Sequence, residues 1–167
     1  MNNTKSIYYP PGGILIWIII YLELITFGMA ILALAYYGSE ERELFHSSSL
    51  KLNKTIGTIN TILLLTSGFF VAKGIHFFKA TNIKKTLFYF NCAMLGGFGF
   101  LILKSFEYYE KLEAGLHMDY NSFFRFYWLL TGFHFIHVLV GLVILLVITF
   151  SIKKKQTEAS FEDIEAS

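Results

Sequence analysis

Apolar residues fall along this chain in four long runs separated by polar connections: about 14–37, 55–78, 86–108 and 123–152. Each is long enough, at 1.5 Å rise per residue, to cross a bilayer as a helix. Hydrocarbon offers no partners to backbone N–H and C=O groups, so helices that satisfy themselves are the expected form. Pro10-Pro11-Gly12-Gly13 ends anything helical before the first run and allows a new helix to start there. That run is too long for a signal-peptide core and has neither a basic leader nor a small-residue cleavage site at its end. It therefore predicts an uncleaved span. The pattern predicts an all-α integral membrane protein, a bundle of four transmembrane helices filling residues 12–152. Residues 1–11 form a short N-terminal segment before it. Residues 153–167 begin Lys153-Lys154-Lys155, become acidic and rich in Ser and Ala, and predict a disordered tail.

The connections set an orientation. With the N-terminus in the cytoplasm, that side receives Lys5, Lys73, Lys79, Lys84, Lys85 and Lys153–Lys155. The other side receives Arg42, Lys51, Lys54, Lys111, Arg125 and, at the border of its span, Lys104. The bias favours both termini inside, in a multi-pass membrane protein. Composition agrees: 54% hydrophobic, 18% aromatic and only 16% charged, against about 25% charged in soluble domains. A net charge of +2 with no basic stripe argues against nucleic acid. Cys92 stands alone, so the chain has neither an internal disulfide nor a thiolate metal cluster.

Chemistry enters with three residues. Between Phe126 and Ile152 there is no Asp, Glu, Lys or Arg, but there are His134 and His137, spaced to share one helix face. Glu23 is the charged residue of the first run. It lies roughly 15 Å into its helix, and His137 roughly 16 Å into its own from the opposite side, so both fall near the midplane. A lone carboxylate there would protonate, whereas one bonded to imidazole is tolerated. Glu23, His137 and, a turn further out, His134 are expected to form one buried polar cluster. Two roles are open to it: locking two helices together, or a proton-linked function. His76 lies too far from His134 in depth to share a metal with it, and His46 and His117 fall in connections, so no metal or haem ligand set is expected. No nucleophile triad, P-loop or glycine fingerprint occurs, and no catalytic residue is assigned. Asn60, Thr61, Ser67 and Gly68 in the second helix and Thr131, Gly132 and Gly141 in the fourth are small or hydroxylated, as at helix-packing faces.

Those same residues carry a resemblance. Asn60-Thr61-Ile-Leu-Leu-Leu-Thr66-Ser67-Gly68, then Glu107-Tyr108, then Thr131-Gly132-Phe133-His134-x-x-His137-Val138-x-x-Gly141 resemble the subunit III family of haem-copper oxidases, with Glu23 in the preceding helix where that family has an acid. The first two helices and the last helix of the large members have no counterpart here. In this, and in Lys104-x-x-Glu107-Tyr108, the chain is most similar to the short accessory form associated with bacterial nitric oxide reductases (the NorE type). The resemblance implies a non-catalytic subunit or assembly factor of a respiratory-chain enzyme, a cytochrome c or quinol oxidase or a nitric oxide reductase, supporting electron transport and proton uptake. Haem and copper or iron would belong to the partner's catalytic subunit, with bound phospholipid between helices. It also implies that Glu107 is a helix-end acid beside Tyr108, and that the four helices expose a groove lined by small residues. The rival reading is a small proton-coupled carrier using Glu23 and the two histidines.

Overall fold

The structure, a computed structural model, describes residues 14–165, from residue 155 onward by backbone path alone. The N-terminal segment 1–11 and the Pro-Pro-Gly-Gly stretch lie outside the described residues. All the elements are helices: α1 (Ile14–Glu40), α2 (Arg42–Ser49), α3 (Lys54–Lys79), α4 (Ile83–Glu113) and α5 (Ser122–Glu165). Four of them, α1, α3, α4 and α5, are long and apolar enough to span a membrane. The protein is thus a multi-pass, all-helical membrane protein.

The turns explain where the helices stop. Asn53 caps α3 by accepting from the backbone N–H groups of Thr55 and Ile56 at 3.1 and 3.3 Å. Asn82 does the same for α4, accepting from Lys85 at 3.2 Å. Between α3 and α4 the chain reverses through Thr81, held at φ 57. Gly115 stops α4 at φ 72, a conformation that suits a residue without Cβ, while Leu116 N–H donates to the Lys111 carbonyl at 2.9 Å. The Trp128 indole then donates to the Leu116 carbonyl at 2.9 Å and pins the loop onto α5.

Three boundaries differ from the sequence expectation. The third span runs to Glu113 rather than 108, because Glu110 to Glu113 are good helix formers and the stop is Gly115. The polar stretch 38–54 contains a short helix, α2, which lies against α1 and α5. Its Phe45 ring meets Phe123 at 5.4 Å, and Ser48 accepts from the Asn121 amide at 2.9 Å. The last helix does not end at Ile152: its backbone continues to Glu165 through residues that include neither Gly nor Pro, so the expected disordered tail is helical.

The helices pack in the spatial order α3, α4, α5, α1. α3 and α4 form a tight antiparallel hairpin, α5 packs on α4, and α1 reaches α5 and α2 but neither α3 nor α4. The row is bent, since Phe27 of α1 and Asn60, Thr61 and Leu64 of α3, at its two ends, line one cavity of about 360 Å³ with α4 and α5. A second cavity of about 320 Å³ lies along α3, α4 and α5, between Ser67, Ala93, Gly97 and Gly141 among others. Together they make a groove on the concave face, polar toward the α2 end and apolar with small residues toward the other.

Close approach is concentrated in α4. Ser67 Oγ donates across the hairpin to the Ala93 carbonyl at 2.6 Å, and a Cβ on Gly96 would meet Ser67 at 3.1 Å. A Cβ on Gly97 would lie 2.8 Å from Leu142 of α5, and one on Gly74 would run into the Phe90 ring. By contrast Gly68, Gly132 and Gly141, expected at helix-packing faces, have open space beside them, and Thr61 and Thr131 donate to carbonyls of their own helices. Which way a glycine faces depends on the rotation of its helix, which these small residues alone do not specify. Gly97→Val should therefore lower thermal stability in mild detergent, by about 1–3 kcal/mol for an overpacked contact. Gly28→Ala, with nothing within 4 Å, should not; equal melting temperatures for the two variants would contradict this packing.

Candidate functional site

Two polar sites lie inside the spans, one near the midplane and one nearer the α2 end. The first is built by α1 and α5. Glu23 Oε1 lies 2.8 Å from His137 Nε2. The other ring nitrogen, Nδ1, is 2.9 Å from the Phe133 carbonyl on the same helix. A carbonyl only accepts, so Nδ1 carries the hydrogen and its orientation is set. The Glu23–His137 contact then requires one proton, held either by the carboxyl or by the imidazole. Both forms are neutral as a pair, which is the condition for placing such groups at this depth.

The pair is not fully enclosed. The Glu23 and His137 side chains are 43% and 32% exposed, so the expectation of a buried cluster holds only on the side facing the protein. Nor does His134 join the bond. It stands one turn away with its ring edge-on to Phe27 at 6.4 Å and to Phe100 at 5.7 Å, facing the groove. Phe27 also contacts the His137 ring at 5.3 Å and so separates the two imidazole environments. Three residues expected in one cluster therefore divide into a bonded pair and a neighbour.

The second site is more deeply buried. Lys104 and Glu107, one turn apart on α4, are 8% and 5% exposed and pair at 2.9 Å. Tyr127 of α5 donates to the other Glu107 oxygen at 2.6 Å and accepts from Lys104 at 3.1 Å. Each carboxylate oxygen thus has a donor, and both charges are met by short, charge-assisted bonds. Lys111, also buried, lies 5.7 Å over the Tyr127 ring. Glu107 is therefore no helix-end acid, because α4 continues to Glu113. Tyr108 packs against Trp128, with centroids 4.7 Å apart, and its ring lies 5.2 Å from Lys104 Nζ. Lys104 and Tyr127 escape the sequence reading as site residues. The signal available is the i, i+3 spacing of opposite charges in an apolar helix.

Between the two sites stands Asn60 of α3, 5% exposed, with neither amide atom hydrogen-bonded to protein. A buried polar group left unpaired costs about 1–3 kcal/mol. Among the described residues no three His, Cys, Asp or Glu come together as a metal site.

A bent row of apolar helices, four of them long enough to span a membrane, with a carboxylate–imidazole pair inside the spans is a polytopic membrane protein. Residues 51–163 match the family model for cytochrome c oxidase subunit III, and the chain belongs to that family. It is similar to a "Heme-copper oxidase subunit I+III" of Aeropyrum pernix, 30% identical over 132 residues, 76% of this chain and 16% of that protein. It is also similar to a "Cytochrome bo(3) ubiquinol oxidase subunit 3" of Buchnera aphidicola, 26% identical over 160 residues, 92% of this chain and 72% of the relative. A "Cytochrome c oxidase subunit 3" of Corynebacterium diphtheriae is 25% identical over 105 residues, 63% of this chain and 51% of the relative. The chain thus spans about a sixth, under three quarters and about half of these three relatives.

Lys104→Met alone would leave the Glu107 carboxylate buried without its cation. It should destabilise the protein by about 3–5 kcal/mol, as for other broken buried pairs. Lys104→Met with Glu107→Leu removes both charges and should recover much of the loss. Denaturant titration in detergent micelles would read the difference, and a double variant as unstable as the single one would refute a pair with this geometry.

Proposed function

We propose that this chain is a non-catalytic membrane subunit, or an assembly partner, of a haem-copper respiratory enzyme. The observation that carries the reading is the subunit III match across residues 51–163, most of the spanning region. The relative whose name joins subunits I and III supports a place beside the catalytic subunit. The partly exposed Glu23–His137 pair supports the same place, since a neutral polar pair facing outward suits a protein neighbour better than lipid. In this reading haem and copper or iron belong to the partner, and a phospholipid chain lies along the apolar half of the groove. Loss or gain of the single proton at Glu23–His137 then couples the subunit to proton uptake by the partner. The Lys104-x-x-Glu107-Tyr108 string supports a nitric oxide reductase partner of the NorE type over an oxygen-reducing one.

Isolation of the tagged chain from its own membranes in mild detergent tests the association. A subunit or assembly partner should elute with a haem protein visible in its reduced-minus-oxidised spectrum. Elution alone, with helicity intact, would favour the proton-coupled carrier instead. Turnover of the isolated complex with oxygen or with nitric oxide then assigns the substrate. Glu23→Gln should leave that association in place and slow proton-linked turnover by a small factor.

The lysine distribution supports both termini on the cytoplasmic side. In a Cys92→Ser background, Lys84→Cys should be labelled from the cytoplasm by an impermeant thiol reagent and Ser47→Cys from outside. The reverse pattern would invert the protein.

A further inference from the structure

The polar half of the groove is not used in the reading proposed above. It reaches the buried Lys104–Glu107–Tyr127 site at one end through Lys104, and the surroundings of the Glu23–His137 pair at the other through His134 and Phe27. Between these ends its wall contains Asn60, Thr61 and Thr131. Their hydrogen-bonding capacity is largely unspent. Neither amide atom of Asn60 has a protein partner. Lys104 uses two of its three donors, on Glu107 and Tyr127. Thr131 donates to the Tyr127 carbonyl and keeps its acceptor positions. Among the described residues His134 makes ring contacts but no side-chain hydrogen bond. Five polar side chains around a space of about 360 Å³ leave room for several waters and offer partners to a short file of them, at the two to four partners that each ordered water needs. An acyl chain would fill the space but leave Asn60 unmatched.

We propose that this half of the groove is a water site. A file of ordered water runs from Lys104–Glu107–Tyr127 past Asn60 and Thr131 to His134, and it opens to the aqueous phase at the α2 end alone. Toward the opposite end the lining of the second cavity is apolar and offers water few partners, which closes the file there. His134 therefore has access to water from one side of the membrane, which is the physical form of a half-channel. This holds for the chain itself, whatever partner it joins.

The test uses native membrane vesicles of both orientations and the full chain in a Cys92→Ser background. Thr131→Cys, Thr61→Cys and Asn60→Cys line the groove, whereas Ile62→Cys and Leu129→Cys lie at similar depth on exposed faces. Only a hydrated thiol ionises to the reacting thiolate, so an impermeant methanethiosulfonate should modify the groove positions at least about tenfold faster than the controls. It should do so only when applied from the α2 side. Rates equal to the controls, or reaction only with an apolar maleimide, would mean that lipid or a partner helix fills the groove and would overturn the proposal. Equal reaction from both sides would overturn the half-channel. The unmodified chain gives a second reading. Brief X-ray radiolysis makes hydroxyl radicals from bound water, and should oxidise Phe100 and Leu64 in the groove but not the lipid-facing Leu65 and Leu95. Absence of oxidation at Phe100 and Leu64 would refute the water site even if every cysteine variant failed to insert.

Discussion

Hydrocarbon does not solvate charge, and this constraint places every polar side chain inside the spans. Glu23 is tolerated because His137 meets it with a single shared proton. Lys104 and Glu107 are tolerated because they neutralise each other and because Tyr127 completes the carboxylate. Hydroxyls of Thr26, Thr61, Thr66, Thr131 and Thr149 fold back onto carbonyls one turn earlier and ask nothing of their neighbours. Asn60 is an exception among the described side chains of the spans, and it marks the groove. Helix packing uses the remaining surface: glycines where α4 meets α3 and α5, aromatic rings elsewhere.

How much of this is legible beforehand depends on which physical quantity each feature needs. Spans need only length and hydropathy, so four are visible, with the α3–α4 turn at Asn82 close to its expected place. The Glu23–His137 contact needs depth, and the constant rise of a helix converts residue number into depth. The groove needs rotation about each helix axis, and there the pattern misleads for Gly68, Gly132 and Gly141. Those three lie beside open space, while Gly74, Gly96 and Gly97 carry the close contacts. Lys104–Glu107 needs a correct helix end. With the third helix ended at 108, Glu107 reads as an interfacial anchor. With Gly115 recognised as the stop, it lies well inside, where an unpaired carboxylate is untenable. His134 and His137 share a face, yet a single ring, Phe27, is enough to give them different neighbours.

The two polar sites differ in character as well as in depth. Lys104–Glu107–Tyr127 is closed, doubly charged and rigidly bonded, and it ties α4 to α5. Glu23–His137 is open on one side and joined by one short contact, and it ties α1 to α5. The first is a closed joint between neighbouring helices and the second a joint that is half-exposed. That division rests on exposure and bonding alone.

The spatial order of the helices also bears on how the chain is made. α1 is synthesised first, but the long helix it packs against, α5, is synthesised last. Throughout the interval α1 must lie in the bilayer without its partner, and Glu23 must wait without the imidazole that meets it in the finished row. The α3–α4 hairpin, by contrast, can close as soon as its second helix emerges. Arrival of α5 then completes the row in one event, joining the finished hairpin on one flank and the waiting helix on the other. Until that moment α1 keeps its place by hydropathy alone, without a single contact to a long helix.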